Sequence, residues 1–223
     1  MIPTLISHLN DADPQIFTAA TNLIQKFSKS SVGCVALIKS TDIITALTKL
    51  VGPKIEHQPS AQKSIAATIH SISNDREGIM QIIKHGGIQA LIMLLTARNE
   101  ATQSYAVTAL HNILTFASSS AGKRIRRQFD IKEMVRQQGG NERLCCLLKN
   151  PNKKFLAICT DSLHILAHGS NNSKVRILQA RAPEEFIKIM THNNYPKLLQ
   201  TTAKVLRVLC PRFRYLFSLF SAN

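Results

Sequence analysis

The stretch HGGIQALIMLL at residues 85–95 has a counterpart in QGGNERLCCLL at residues 138–148. Similar phrases begin at Ile2, Ile43 and Glu184, and their equivalent apolar residues are 42, 44, 53 and 42 residues apart: Leu5, Leu47, Leu91, Leu144 and Phe186. A second phrase, AATNLIQKFS in its first copy, recurs out of phase at intervals of 45, 41, 53 and 43: Ile24, Ile69, Leu110, Leu163 and Leu206. Because the two phrases agree, a unit of about 42 residues is repeated along the chain.

Each unit shows the pattern of amphipathic helices. One apolar stripe has the spacing i, i+3, i+4 and i+7: Ile88, Leu91, Ile92 and Leu95. Gly86-Gly87 and Gly139-Gly140 predict a sharp turn before a helix, and Ser-Thr-Asp and Arg-Ala-Pro replace the glycines before Ile43 and Glu184. Units of this length, with two or three helices stacked on their neighbours, are typical of armadillo or HEAT repeats. The pattern therefore predicts an all-α fold, an α-solenoid.

The charge balance indicates an acidic partner. The 223 residues include 28 Lys and Arg against 13 Asp and Glu, which gives a formal net charge of +15. Composition alone leaves nucleic acid and an acidic peptide equally open.

Several other classes are disfavoured. No run approaches the ~18 apolar residues of a membrane span, so no membrane insertion is expected. The five cysteines are odd in number and lack a CxxC pair, which predicts buried thiols in a reducing compartment rather than disulfides or a zinc site. The chain has no Gly-rich phosphate loop, HExxH or GxSxG motif. Neither catalysis nor a cofactor is expected.

Longer phrases carry a specific resemblance. IHSISNDREGIMQIIKHGGIQALIMLL, SYAVTALHNIL, NKKFLAICTDSLHILAHGSNNSKVRIL and YPKLLQTTAKVLRVL resemble consecutive repeats of the beta-catenin/Armadillo family, from about Ile2 to Leu209. The family carries twelve repeats and this chain resembles the first five, as a divergent paralogue or a fragment would. The resemblance implies a right-handed α-solenoid of armadillo repeats. Its approximate repeats are 1–39, 40–83, 84–127, 128–178 and 179–223, with a basic surface loop inserted near 117–129.

The resemblance also implies a function. Family members are interaction scaffolds of Wnt signalling and cell–cell adhesion, and they bind extended acidic segments in a basic concave groove. The implied partners are cadherin cytoplasmic tails, T-cell-factor-type transcription factors and destruction-complex scaffold proteins. The implied locations are cytoplasm, cell junction and nucleus, and we expect a monomer.

The second phrase marks the helices that would line such a groove. The residues after its apolar position are Gln25, His70, His111, His164 and Arg207. The histidines come from separate repeats, so they are not expected to converge on a metal. The amide of Asn112 suits pinning the backbone of an extended peptide, and its alternative role is to satisfy its own loop.

The remaining groove residues are implied by the resemblance. Lys174 matches a lysine that anchors a ligand aspartate. An apolar notch is implied beside Tyr105, His111, Lys154 and Phe155, where Ser104 replaces a phenylalanine. Basic groove positions are matched by Lys197, Lys204 (for an arginine) and Arg207, whereas Gln200 replaces a tryptophan. Each lysine has a simpler interpretation as a solvated surface charge.

Three alternatives remain open. An importin-alpha-like transport adaptor is also an armadillo solenoid, but its groove uses tryptophans and acidic pockets, whereas this chain has no Trp and is basic. A nucleic-acid-binding solenoid could use KRIRR at residues 123–127, although aromatic residues are only 5% of the chain. The same basic run could act as a nuclear-localisation signal.

The end of the sequence carries one further expectation. From Pro211 the chain is rich in large apolar side chains: Phe213, Tyr215, Leu216, Phe217, Leu219 and Phe220. This tail is expected either to fold back as a cap on the last repeat or to be an idle, sticky segment.

Overall fold

The structure is a computed structural model that describes residues 2–52, 55 and 58–210. Within these residues it contains fifteen α-helices and no strand. The first helices of successive units are α3 (Ser31–Lys39), α6 (Arg76–Lys84), α10 (Ile131–Gln137) and α13 (Asn171–Gln179). The second helices are α1 (Ile2–Leu9), α4 (Thr41–Leu50), α7 (Gly87–Leu94), α11 (Gly140–Cys146) and α14 (Ala182–His192). The third helices are α2 (Pro14–Ser28), α5 (Pro59–Ile72), α8 (Glu100–Ser118), α12 (Lys153–Ala167) and α15 (Pro196–Leu209). The two sequence phrases correspond to the second and third helices.

Local sequence signals explain where many helices begin. Asp75, Asn99 and Asn152 each precede a helix, and their side chains accept hydrogen bonds from backbone N–H groups of the first turn. Proline stands at the start of α2, α5 and α15, where its missing N–H is not needed. Most units thus carry their own start signals.

The predicted glycine turns are confirmed. Gly86 and Gly139 have φ values of 79° and 72°, in the left-handed region that favours glycine. The second glycine of each pair is required by close packing, because a Cβ at Gly87 would lie 2.3 Å from Ile82 Cγ2. In the last unit Arg181 occupies the equivalent turn with φ 56°, an unfavourable conformation for a residue with a Cβ.

One continuous core runs through the stack of units. The repeat-marking residues Leu47, Leu91, Leu144 and Phe186 are all at most 1% exposed. Each third helix packs on the third helix of the next unit, in the order α2, α5, α8, α12, α15. This series of stacked helices is called the third-helix ladder below.

The basic insertion that the sequence places near 117–129 lies at the surface and contains a short helix. Helix α8 continues to Ser118, and a further helix, α9 (Lys123–Gln128), precedes α10. Ile125 anchors α9 because its side chain is only 2% exposed. A six-residue helix is too short to show a helical period in the sequence, so α9 could not be predicted.

Two other expectations have mixed outcomes. All five cysteines are free, but only Cys145 and Cys159 are buried, whereas Cys146 is exposed.

In the described ranges no single helix is long and apolar enough to cross a membrane; α3 and α4 pass that test only as a pair, bent by 86°. The apolar tail from Pro211 lies outside the described residues.

Candidate binding groove on the third helices

Polar and aromatic contacts join every neighbouring pair in the third-helix ladder. Between α2 and α5, Ser64 Oγ donates a hydrogen bond to Asn22 Oδ1 at 2.5 Å, and between α5 and α8 the ring centres of His70 and Tyr105 lie 5.6 Å apart. Between α8 and α12, Ser162 Oγ is 3.3 Å from His111 Nδ1. Between α12 and α15, Thr160 Oγ1 is 2.6 Å from Thr201 Oγ1. Because the hydroxyl groups in these contacts are buried, the contacts tie the third helices of successive repeats together.

The ladder carries a strong excess of positive charge. Its basic side chains are Lys26, Lys63, Lys153, Lys154, Lys197, Lys204 and Arg207. The only acidic side chains on these five helices are Glu100 and Asp161. The surface therefore suits a ligand with several carboxylates.

His111 lies at the centre of this surface, where three third helices meet. Its Nε2 is 3.7 Å from Asp161 Oδ2 on α12. Burial lowers the pKa of His111; the Asp161 carboxylate opposes this shift and Lys197 on α15 adds to it. The predicted site residues His111 and Lys197 are thus brought together although 86 positions separate them in the sequence.

His164 is the centre of a second basic cluster. Burial is the main cause of its lowered pKa, Asp161 opposes the shift, and the nearby charges of Lys204 and Arg207 contribute to it. Three more predicted positions are therefore neighbours in space. Burial thus favours the neutral form of both imidazoles despite the neighbouring Asp161 carboxylate.

Asn112 links two repeats at this surface. Its Nδ2 donates to Ser73 Oγ at 3.0 Å and to Asn74 Oδ1 at 3.2 Å, both in the turn after α5. The NH₂ group of the Asn112 side chain is thus bonded within the fold, which favours a structural role for that group. Beside it lies an open hollow of about 460 Å³, lined by His111, Asn112 and Phe116 among others.

The other predicted residues differ in accessibility. Phe155 is 4% exposed and belongs to the hydrophobic core. Tyr105 is half-buried against His70, and Lys154 is exposed in the first turn of α12. Lys174 is half-buried on α13, a first helix, and so lies outside the ladder itself.

Sequence analysis missed two residues that contribute to this candidate site, Asp161 and Arg76. Asp161 lies one turn before His164 in the recurring phrase, so the i, i+3 spacing was visible. The Arg76 guanidinium lies 5.8 Å from the centre of the Phe116 ring, a cation–π contact between α6 and α8. No local sequence pattern predicts that contact, because it depends on how α6 and α8 cross.

The basic run at residues 123–127 is folded. Arg126 Nη1 donates to the backbone carbonyls of Ala117 and Ser119, at the end of α8 and just beyond it. Together with the burial of Ile125, these bonds hold the run as helix α9 and disfavour its use as an extended targeting signal. Over the residues that the structure describes, no group of three His, Cys, Asp or Glu side chains is arranged to hold a metal.

Comparisons with known proteins agree with this architecture. The model of the Armadillo/beta-catenin-like repeat matches residues 75–115, which span α6, α7 and nearly all of α8. Junction plakoglobin of Xenopus laevis is 36% identical over 94% of this chain and 27% of its own length. Catenin beta of Urechis caupo is 36% identical over 93% of this chain and 24% of its own length. The chain thus spans about a quarter of the length of the curated relatives it matches.

A solved structure supports the fold. A structure from work on a phosphorylation switch in the interaction between cadherin and beta-catenin matches with a TM-score of 0.80 and 22% identity. The match covers 99% of this chain and 40% of that one. Over nearly all of its length the chain is therefore similar to the armadillo-repeat proteins beta-catenin and plakoglobin.

Proposed function

We propose that this protein is a beta-catenin-like scaffold whose third-helix ladder binds extended acidic segments of other proteins. The observation that carries the proposal is the charge of the ladder, with seven Lys and Arg side chains against two acidic ones. Stacked repeats create an extended concave surface, and extended peptides suit such a surface. The protein then acts by binding rather than by catalysis.

The proposed groove has a defined set of residues: Tyr105, His111, Asn112, Lys154, Lys174, Lys197, Lys204 and Arg207. In it the basic side chains pair with ligand carboxylates, and Asn112 Oδ1 accepts a hydrogen bond from the ligand backbone. Phe155, which follows Lys154 in α12, is only 4% exposed, so we assign it to the floor of the groove.

The resemblance to beta-catenin and plakoglobin supports particular partners. We propose cadherin cytoplasmic tails as ligands at cell junctions. T-cell-factor-type transcription factors and destruction-complex scaffold proteins are proposed as ligands in nucleus and cytoplasm, in Wnt signalling.

The experiment is a calorimetric titration of the protein with two labelled peptides of equal length. One is an acidic cadherin-tail segment and the other a basic segment like a nuclear-localisation signal. We expect binding of the acidic peptide, weakening as salt rises because the charges are partly exposed. Tighter binding of the basic peptide would instead support the importin-alpha-like alternative and overturn the proposal.

A further inference from the structure

The hollow beside Asn112 is lined by one permanent positive charge and by no carboxylate. It lies between the turn after α5, the start of α6 and the last turns of α8, and its volume is about 460 Å³. Among the described residues that line it, Arg76 is the only one with a permanent charge, and none is Asp or Glu. His111 also lines the hollow, and burial lowers its pKa and favours its neutral form. The hollow has the size of a ligand pocket, and its charge suits an anionic group.

The side chain of Arg76 is held at the wall of this hollow. Its guanidinium lies 5.8 Å from the centre of the Phe116 ring, which lines the same hollow. Within the ranges that the structure describes, this side chain forms neither a hydrogen bond nor an ion pair. Its N–H donors are therefore available, and their planar arrangement matches the two oxygens of a carboxylate.

The two carboxylates next to Arg76 in the sequence have other partners. Asp75 caps α6, because its Oδ1 accepts hydrogen bonds from the backbone N–H groups of Glu77 and Gly78 at 2.8 and 3.1 Å. Glu77 Oε1 accepts a hydrogen bond from Gln81 Nε2 at 2.7 Å. Both acidic residues line a different hollow, between α6, α8 and α9, and not the one beside Asn112. Arg76 therefore sets the charge of the hollow beside Asn112.

Asn112 supplies a hydrogen-bond acceptor to the same hollow. Its Nδ2 donates to Ser73 Oγ and to Asn74 Oδ1, so both N–H bonds of the amide are used. Its Oδ1 accepts no hydrogen bond from the described part of the chain. A peptide unit carries an N–H donor beside its side chain. One acidic residue of an extended segment can therefore donate from its backbone to Asn112 Oδ1 while its carboxylate accepts from Arg76.

We propose that the hollow beside Asn112 is a carboxylate subsite of the groove, in which Arg76 binds the side chain of one Asp or Glu of the ligand and Asn112 binds the backbone of the same residue. This inference rests on the proposed function and adds Arg76, a residue of a first helix, as a determinant of ligand choice. A protein segment fits better than DNA, because the DNA backbone offers no N–H donor to Asn112 Oδ1.

The first test compares Arg76→Glu with a matched control, Arg98→Glu, in calorimetric titrations of the full chain with the acidic cadherin-tail segment. Both arginines are exposed, but Arg98 precedes α8 and the hollow lies at the other end of that helix. Arg76→Glu should weaken binding roughly 3- to 30-fold, because reversal replaces one exposed ion pair with a similar repulsion. The control should stay within about twofold of wild type. Circular dichroism melting confirms that each variant is folded.

The second test identifies the ligand residue that Arg76 binds. Each acidic residue of the segment is changed in turn to its neutral amide, and each peptide is titrated into wild-type and Arg76→Glu protein. At one position the change should weaken binding to wild type and strengthen binding to the variant, because it removes a repulsion there. A photo-crosslinking amino acid in place of Thr115, an exposed residue of the lining, should capture the same ligand residue or its neighbour.

A separate charge reversal tests the groove itself. Lys197 and Lys204 on α15 are changed to Glu, and the control is the same change at two exposed lysines outside the ladder, Lys39 on α3 and Lys49 on α4. If the wild-type protein does not bind the segment, both proposals fall.

Three results would refute the subsite while the groove stands. In the first, the α15 reversal weakens binding but Arg76→Glu has no larger effect than Arg98→Glu. In the second, no single acidic position of the segment responds differently to Arg76→Glu, so that Arg76 acts only through long-range charge. In the third, Arg76→Glu lowers the affinity for a single-stranded DNA oligonucleotide and leaves binding of the segment unchanged, so that the hollow serves nucleic acid.

Discussion

Charge reversal on the last described third helix gives a sharp test of the groove. Lys197 and Lys204 are seven residues apart on α15, so they stand on one side of the helix about 10 Å from each other. Three residues of an extended ligand span that distance. We expect Lys197→Glu combined with Lys204→Glu to weaken binding of an acidic segment strongly.

The magnitude follows from the exposure of the two lysines. An exposed ion pair contributes about 0.2–1 kcal/mol, and reversal replaces that attraction with a similar repulsion. Lys197 is exposed and Lys204 half-buried, so the pair of reversals should cost about 1–4 kcal/mol of binding free energy. That cost corresponds to roughly 5- to several-hundred-fold in Kd.

The assay combines calorimetry of ligand binding with an NMR titration of the His111 imidazole in the same variant. Because Lys197 contributes to the lowered pKa of His111, the Lys197→Glu change should raise that pKa, as followed by NMR of the imidazole signals. Lys39→Glu with Lys49→Glu serves as the control. If NMR shows the raised pKa of His111 but the affinity for the acidic segment stays within twofold of wild type, the reasoning is refuted. The lysines would then lie where described, but the third-helix ladder would not bind the ligand.

Three further outcomes are expected. Lys174→Glu should weaken cadherin-tail binding by about 2–5 kcal/mol in calorimetry and leave the melting curve unchanged. An unchanged affinity would show that Lys174 is only a solvated surface charge. Burial lowers the pKa of His70, His111 and His164, so the unfolded chain binds more protons than the folded chain as pH falls through about 6.5. The free energy of unfolding in urea titrations should therefore be retained above about pH 7.5, decrease at lower pH, and vary less in a triple His→Gln variant. Phe186→Ala should cost about 3–5 kcal/mol, because its ring is fully buried in α14, and amide exchange should show the loss concentrated in the last described unit.

The architecture was predictable because it depends on a short-range pattern repeated five times. Leu91 and Leu144 could be identified as core residues from their spacing alone, and both are fully buried. The turns at Gly86 and Gly139 were equally visible, since a glycine pair directly before an apolar stripe is typical of a sharp turn into a helix.

The site was predictable only in part. The near-complete burial of Phe155 was not visible in the sequence, because it depends on how the helices cross. The proximity of His111 and Lys197 arises from the stacking of α8, α12 and α15, which no local pattern encodes. Helix α9 was missed because tertiary anchoring by Ile125, rather than a periodic stripe, stabilises its six residues.

The third-helix ladder also has a mechanical consequence. Each of its helices packs on the next one along the chain, so a pulling force applied at the two ends can detach one unit without first breaking every interface. Release of a unit of about 42 residues adds roughly 140–150 Å of extended chain. A force–extension trace should therefore show a series of evenly spaced steps, with one longer step where α9 lengthens its unit.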